Sequence, residues 1–159
     1  MKRKPEIRVM SRLEAFNYCK SCHNTSAVII SISTPNTEYP YEVFKSETNG
    51  IVDILDLSFA DVDGQDSIDI NDDYAAIKEL MTDKDAKKIA GFVDRYKNVL
   101  LIIHCDEGVS RSAGIAAALL RHYTGDETAI FDDCFSYNPN MWCYFKVIKH
   151  LNIRIYNNT

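Results

Sequence analysis

Residues 99–123 constrain the fold of this chain more than any other stretch of the sequence. They open with five consecutive apolar residues, Val-Leu-Leu-Ile-Ile, a run that predicts a strand buried on both faces. A polar loop follows over 104–112, and the small, alanine-rich segment 113–123 predicts a buried helix. A strand that enters a helix through a tight loop forms an anion site, because loop amides converge there and the helix dipole adds positive potential.

The loop carries a cysteine and an arginine six positions apart, Cys105 and Arg111. A thiol at a helix N-terminus or beside an arginine ionises more readily than a free thiol, so we expect Cys105 to be a nucleophilic thiolate. Arg111 offers a planar guanidinium that can bind two oxygens of a phosphate. Gly108 permits a backbone conformation that other residues avoid, and Ser112 can donate a hydrogen bond to the thiolate. These residue types at this spacing predict nucleophilic attack on a bound phosphate.

The loop sequence 104–112, His-Cys-Asp-Glu-Gly-Val-Ser-Arg-Ser, resembles the phosphate-binding loop of the cysteine-dependent protein tyrosine phosphatase superfamily, His-Cys-x-x-Gly-x-x-Arg-Ser/Thr. It is most similar to the small dual-specificity and bacterial tyrosine-phosphatase-like branch, where Ser-Arg-Ser closes the loop. The resemblance implies catalysis by Cys105 and Arg111, with Ser112 and His104 in support and His104 ordering the loop. It also implies phosphate contacts from the loop residues Asp106, Glu107, Gly108, Val109, Ser110 and Arg111.

The same resemblance implies an α/β fold, whose largely parallel central sheet of about four to five strands is covered by helices on both faces. The alternation of strand-like and helix-like segments favours the same architecture in one domain, 1–159. The loop would then lie at the carboxyl end of a central strand. We expect strands at 7–10, 27–32, 51–59 and 99–103, a turn near 41–45, and helices at 12–20, 72–81, 82–97, 113–123, 126–135 and 139–151.

An aspartate upstream of the cysteine is the expected general acid, because the leaving oxygen of a phosphate ester needs a proton donor. In the small dual-specificity members this aspartate follows a strand with the pattern apolar-x-apolar-x-Asp, which residues 57–61, Leu-Ser-Phe-Ala-Asp, match. Asp61 is therefore the first choice. Asp63 is the alternative on the same short loop, and Asp66 and Asp69 are further candidates.

The charge of the chain bears on its partners. The net charge is −5, with acidic residues spread over 53–73 and 126–133, which argues against binding nucleic acid or anionic lipid. The apolar runs are far shorter than the ~20 residues of a membrane helix, and no apolar signal segment follows the basic residues 2–4. We expect a cytoplasmic protein that binds neither nucleic acid nor membranes. The resemblance implies no metal and no cofactor.

The substrate class follows partly from the loop itself. Asp106 and Glu107 are both acidic and would repel a highly charged inositol phosphate headgroup. A phosphorylated protein bearing phosphotyrosine, or a small aryl phosphate, is favoured, and phosphoserine and phosphothreonine stay open. The alternatives are an RNA 5′-triphosphatase, a rhodanese-type sulfurtransferase and a non-catalytic phosphate-binding module. The oligomeric state is left open.

Four cysteines lie outside the loop. Residues 19–23, Cys-Lys-Ser-Cys-His, formally match a haem attachment motif, but a helix end with partly buried cysteines is the favoured interpretation. Cys134 and Cys143 are expected in the core, and the resemblance allows one of the four to pair with oxidised Cys105. Residues 138–142, Asn-Pro-Asn-Met-Trp, resemble a Pro-Asn step that opens a late helix and supports the loop in the dual-specificity members. In that helix the spacing places Trp142, Tyr144, Phe145 and Ile148 mostly in the core.

Overall fold

A computed structural model describes residues 5–39, 49–62 and 72–157. Within these ranges the strands are β1 (Ile7–Met10), β2 (Ala27–Ser33), β3 (Ile51–Ser58) and β4 (Leu100–His104), and the helices are α1 (Arg12–Cys19), α2 (Asp72–Ile77), α3 (Asp83–Arg95), α4 (Arg111–Thr124), α5 (Thr128–Phe131) and α6 (Met141–Asn157). The expected turn near 41–45 and the candidate acids Asp63, Asp66 and Asp69 lie outside the described residues.

The four strands form one parallel sheet in the order β1-β4-β2-β3. β4 is buried along its whole length and pairs with β1 on one side and with β2 on the other. Because the strands are parallel, the segments that follow them meet at one edge of the sheet. The loop after β4 therefore lies beside the start of α1 and the segments that follow β2 and β3.

Residues that alternate along β4 face two different cores, as the period of two in a strand requires. Leu101 and Ile103 join the larger core beneath α3, α4 and α6. Leu100 and Ile102 join a smaller core, which α1 covers through Ala15. The predicted α/β architecture, with a parallel sheet covered on both faces, is thus confirmed.

The predicted starts of α1 and α3 are confirmed, and each is marked by a capping residue. Ser11 caps α1 in a capping box with Glu14, and Thr82 caps α3 in a capping box with Asp85, so that two otherwise orphaned amides are satisfied at each helix start. No helix in the described ranges is long and apolar enough to span a bilayer.

Several expectations for the C-terminal third were wrong. The helix expected over 126–135 is only the short α5, because Asp126 accepts hydrogen bonds from Thr128 at its start and the chain turns after Phe131. Cys134 lies in that turn and is exposed, not in the core. Phe145 is 44% exposed on the outer side of α6, whereas its neighbours Tyr144 and Lys146 are buried.

Helices α4 and α6 approach closely at Gly114. A Cβ atom at this position would lie 2.3 Å from the carbonyl oxygen of Asn140, the residue immediately before α6. The alanine-rich sequence of α4, buried from Arg111 to Leu119, gives the helix a narrow surface and permits this approach. The contact matters for the site, since it sets where Asn140 lies.

We expect Gly114→Ala to lower the free energy of unfolding by about 1–3 kcal/mol, the usual cost of overpacking a buried contact. Alanine favours a helix more than glycine does, so the sign of the change shows which effect dominates. Urea denaturation measures the difference. A variant as stable as the wild type would show that the two helices can separate without cost.

Candidate active site

Cys105 follows β4 directly and is 2% exposed. Its Sγ lies 3.1 Å from the hydroxyl Oγ of Ser112, in the first turn of α4. The sulfur therefore lies beside both a hydroxyl that can donate a hydrogen bond and the positive end of a helix dipole.

The loop folds back against the junction of β1 and α1. Gly108 has a φ of +72°, and a Cβ there would lie 2.6 Å from the backbone of Met10 and Ser11. No other residue fits this position without displacing backbone. The amides of residues 107–110 donate hydrogen bonds to none of the residues that the structure describes, so they are available to an anion.

The guanidinium of Arg111 is almost completely buried and is held on two sides. Its Nη1 donates to the carbonyl oxygen of Phe59 at 2.8 Å, and its Nη2 donates to Asp106 Oδ2 at 3.1 Å. Its Nε has no hydrogen-bond acceptor within the described ranges. Because buried donors are almost always satisfied in folded proteins, this Nε–H indicates a place for an anionic ligand.

Asp61 lies in the segment after β3, beside the loop that follows β4. Its Oδ1 accepts hydrogen bonds from Ser110 Oγ at 2.7 Å and from Asn140 Nδ2 at 3.0 Å. Its Oδ2 accepts none from the described part of the chain, and the residue is exposed. The structure thus brings together the loop and the first-choice acid, and it leaves one carboxylate oxygen open to carry a proton.

Asn140 connects three parts of the site. Besides Asp61, its side-chain amide donates to the carbonyl oxygen of Val62 at 3.2 Å, and its backbone N–H donates to the carbonyl oxygen of Ser110 at 2.9 Å. Its Oδ1 accepts from the amide of Cys143 in α6. The sequence offered a signal for this residue in the Pro-Asn step, but not its contact with the acid.

His104 is fully buried at the end of β4, with Nδ1 3.3 Å from the carbonyl oxygen of Cys105. Burial, together with the positive charge of Arg12, lowers the pKa of this imidazole from 6.5 to about 4. The ring is therefore neutral at neutral pH. A neutral, buried ring suits a residue that orders the loop.

The carboxylate of Asp106 is mostly covered and is paired with other side chains, so its charge is not free to repel an inositol phosphate as expected. Thr34 Oγ1 donates to its Oδ2 at 2.6 Å, and Arg111 binds the same oxygen. Burial alone would raise the pKa of this carboxyl, but hydrogen bonds from Thr34, Tyr39 and Arg111 hold it below its usual value. The repulsion expected of two loop acids therefore rests on exposed Glu107 alone. No sequence signal singled out Thr34 or Tyr39.

The remaining cysteines form no disulfide bonds. Cys19 is half-buried, and burial raises its pKa to about 11, while Cys22 is exposed. His23 stacks on the ring of Tyr18 and its Nε2 hydrogen-bonds that residue's carbonyl oxygen, so this segment packs as an ordinary helix end. Cys143 is buried as expected. The described residues contain no cluster of His, Cys, Asp and Glu that could hold a metal ion.

Comparison with known proteins gives the fold. No protein-family model matches the chain, and no curated protein does. Human DUSP28 matches with a TM-score of 0.52 at 13% identity, covering 98% of each chain. PTPMT1 in complex with PI(5)P matches with a TM-score of 0.55 at 14% identity, covering 100% of this chain and 98% of that one. Tk-PTP in the active form matches with a TM-score of 0.53 at 15% identity, covering 93% and 90%. The chain has the fold of the small cysteine-dependent phosphatases, as its loop motif predicted.

Replacing His104 should flatten the dependence of stability on pH. Its folded pKa of about 4 lies below the ordinary 6.5, so the unfolded chain binds the proton first as the pH falls. The stability from the neutral ring is complete above about pH 6.5 and is lost progressively towards about pH 4.

Between about pH 7 and pH 5 the wild type should therefore lose roughly 2 kcal/mol more unfolding free energy than His104→Gln. Denaturant titrations at each pH measure the loss. Parallel curves for the two proteins would contradict the assignment of a buried neutral imidazole.

Proposed function

We propose that this protein is a cysteine-dependent protein phosphatase that hydrolyses phosphotyrosine through a phosphocysteine intermediate, with phosphoserine and phosphothreonine left open as further substrates. The observation that carries the proposal is the meeting of Cys105, Arg111 and Asp61 at one loop, although Asp61 reaches it from a different strand. The unsatisfied Nε–H of Arg111 and the open amides of 107–110 support phosphate as the ligand.

In the first step, Cys105 Sγ attacks phosphorus in line and forms the P–S bond as the P–O bond to the leaving group breaks. Asp61 Oδ2 gives its proton to the departing oxygen. Arg111 and the loop amides bind the nonbridging oxygens, where preorganised donors stabilise the charge that develops in the transition state.

In the second step, water attacks the phosphocysteine and Asp61 takes a proton from it. The P–S bond breaks, inorganic phosphate forms and the thiolate of Cys105 is regenerated. The hydroxyl of Ser112, 3.1 Å from Sγ, donates a hydrogen bond to the thiolate and so stabilises it as a leaving group. The residues of this chain supply every proton transfer that the two steps need.

The charges at the rim support a protein substrate, in keeping with a cytoplasmic enzyme that acts on phosphorylated proteins. Glu107 and Asp61 are exposed at the loop, and an inositol headgroup with several phosphates would meet both. PTPMT1 was solved with PI(5)P, a phosphoinositide, so that lipid is the informative competitor. A phosphotyrosine peptide should be hydrolysed with a higher kcat/KM than PI(5)P in detergent micelles.

The assignment of nucleophile and acid is tested by hydrolysis of 4-nitrophenyl phosphate across pH. We expect Cys105→Ser to abolish turnover, because the serine hydroxyl is un-ionised at neutral pH. Asp61→Asn should lower kcat about 10²–10⁴-fold, the usual contribution of a general acid, and remove the fall of activity at high pH. Asp56→Asn, an exposed aspartate on β3, is the matched control and should leave kcat unchanged.

A fully active Asp61→Asn would transfer the acid role to Asp63 or another loop carboxylate. Activity that survives Cys105→Ser would show that the site is wrong. A wild type that is inactive under reducing conditions would favour the phosphate-binding module. Release of phosphate from triphosphate-ended RNA, or sulfur transfer from thiosulfate, would favour the other two alternatives.

Ser110→Ala removes one of the two donors that hold Asp61, and it should slow the step that needs the acid. We expect kcat to fall about 3–10-fold for phenyl phosphate, a misplacement effect, and to fall less for 4-nitrophenyl phosphate, whose leaving group needs less protonation. Ser21→Ala is the control, because Ser21 is an exposed serine far from Ser110 in the sequence. Equal losses on the two substrates would argue that Ser110 does not act through Asp61.

A further inference from the structure

We propose that Asp106 is a positioning residue that fixes the guanidinium of Arg111 from within the loop, and that Thr34 and Tyr39 hold Asp106 in place. The inference rests on the proposed function, since it concerns the arginine that would bind the phosphate. The residues that hold Asp106 come from the segment after β2, which is not part of the loop motif.

The carboxylate of Asp106 lies between two buried arginines. Its Oδ2 accepts from Arg111 Nη2 at 3.1 Å, and its Oδ1 lies 3.7 Å from Arg12 Nε. The side chains of Arg111 and Arg12 are 4% and 8% exposed, whereas that of Asp106 is 30% exposed. In the described ranges this is the carboxylate that forms ion pairs with both arginines. One negative charge thus faces the positive charges of both arginines.

Hydroxyl groups hold the carboxylate from the other side. Thr34 Oγ1 donates to Oδ2 at 2.6 Å, and the Tyr39 hydroxyl lies near enough to the carboxylate to help lower its pKa. The Tyr39 hydroxyl accepts from the backbone amide of Thr34 at 2.6 Å, which ties the two donors together. Asp106 therefore has little freedom to follow Arg111 if the arginine moves.

Arg12 fixes the same corner of the site. Its guanidinium donates to the carbonyl oxygen of Ile32 at 3.2 Å and to Ser33 Oγ at 2.8 Å, both at the end of β2. The ring of Tyr39 lies 3.6 Å over it, at the distance of a cation–π contact. The backbone amide of Arg12 also donates to the carbonyl oxygen of Asp106. The loop, α1 and the segment after β2 are thereby joined at Asp106.

Two anchors on different nitrogens define the plane of the Arg111 guanidinium. Phe59 accepts from Nη1 and Asp106 accepts from Nη2, and each of these nitrogens has a second N–H. Nε–H has no acceptor in the described ranges, so it and a second N–H of Nη2 can serve in bidentate binding to phosphate. Without Asp106 the guanidinium would be held by Phe59 alone and could rotate about that contact.

Asparagine is a disruptive replacement here. Arg12 faces Oδ1, and Thr34 and Arg111 both donate to Oδ2. Either orientation of an amide would point its NH₂ group at a donor. Glutamate keeps the charge but places it one methylene farther from the backbone.

The test compares Asp106→Asn, Asp106→Glu and Thr34→Val with the wild type, and Asp56→Asn is the charge-matched control. Turnover of 4-nitrophenyl phosphate gives kcat and KM, and calorimetry gives the Kd of inorganic phosphate. We expect Asp106→Asn to lower kcat about 10–100-fold, as misplacement of a catalytic group does, and to weaken phosphate binding. Asp106→Glu should recover part of the loss.

Thr34→Val keeps the shape of the side chain and removes only the hydroxyl. We expect a smaller fold-loss of kcat than for Asp106→Asn. In the double variant with Asp106→Asn, the fold-loss of kcat should be less than the product of the two single fold-losses, because both residues act through one contact. Multiplicative losses would overturn the role of Thr34.

The direction in which Asp106→Asn changes kcat/KM and phosphate affinity tests the proposal. If Asp106 only repelled the substrate, Asp106→Asn would raise kcat/KM and tighten phosphate binding, and either result overturns the inference. A lowered melting temperature with unchanged kcat and Kd would also overturn it. If the wild type hydrolysed no phosphate ester, the proposed function would fail, while weaker phosphate binding by Asp106→Asn would still support positioning. A wild type that binds no phosphate would overturn both.

Discussion

The burial of a charged guanidinium at the carboxyl edge of the sheet is the constraint on which the site depends. An ion removed from water is costly unless it is paired and hydrogen-bonded. Arg111 meets this requirement with a carbonyl oxygen from the segment after β3 and a carboxylate from its own loop. The orientation of the arginine is therefore tied to the positions of other elements, and its Nε–H faces no acceptor in the described ranges.

The parallel sheet makes these contacts possible. Strands β1, β2, β3 and β4 all end at the same edge, so the start of α1, the segment 34–39 and the segment 59–62 all reach the loop after β4. The start of α1 places its backbone against Gly108, the segment 34–39 places the hydroxyl of Thr34 on Asp106, and the segment 59–62 brings the carboxylate of Asp61. Helix α6 completes the arrangement through Asn140, whose position depends on the absence of a side chain at Gly114.

Much of this could be predicted from sequence because the determining interactions are local. A buried strand, a glycine with positive φ, a capping serine and a thiol at a helix N-terminus each leave a short pattern. Where local patterns compete, prediction failed. The segment 126–135 has helix-like spacing, but the hydrogen bonds of Asp126 with Thr128 and the turn after Phe131 end it after one short helix. Cys134 was placed in the core because aromatic residues flank it, and Phe145 because of helical spacing, but neither signal shows which side of the segment meets the rest of the protein.

The sequence by itself determined the chemistry that this chain can offer: a cysteine and an arginine on one loop, the strand and helix on either side, and an aspartate after another strand. These follow from residue type and spacing, which act over a few residues. Only the tertiary structure decided what surrounds them. Asp106 turned inward because Arg12 and Arg111 are both buried beside it, and Thr34 and Asn140 became part of the site because a parallel sheet and two closely packed helices bring distant segments together. Such contacts depend on how whole elements pack, and no short stretch of sequence encodes them.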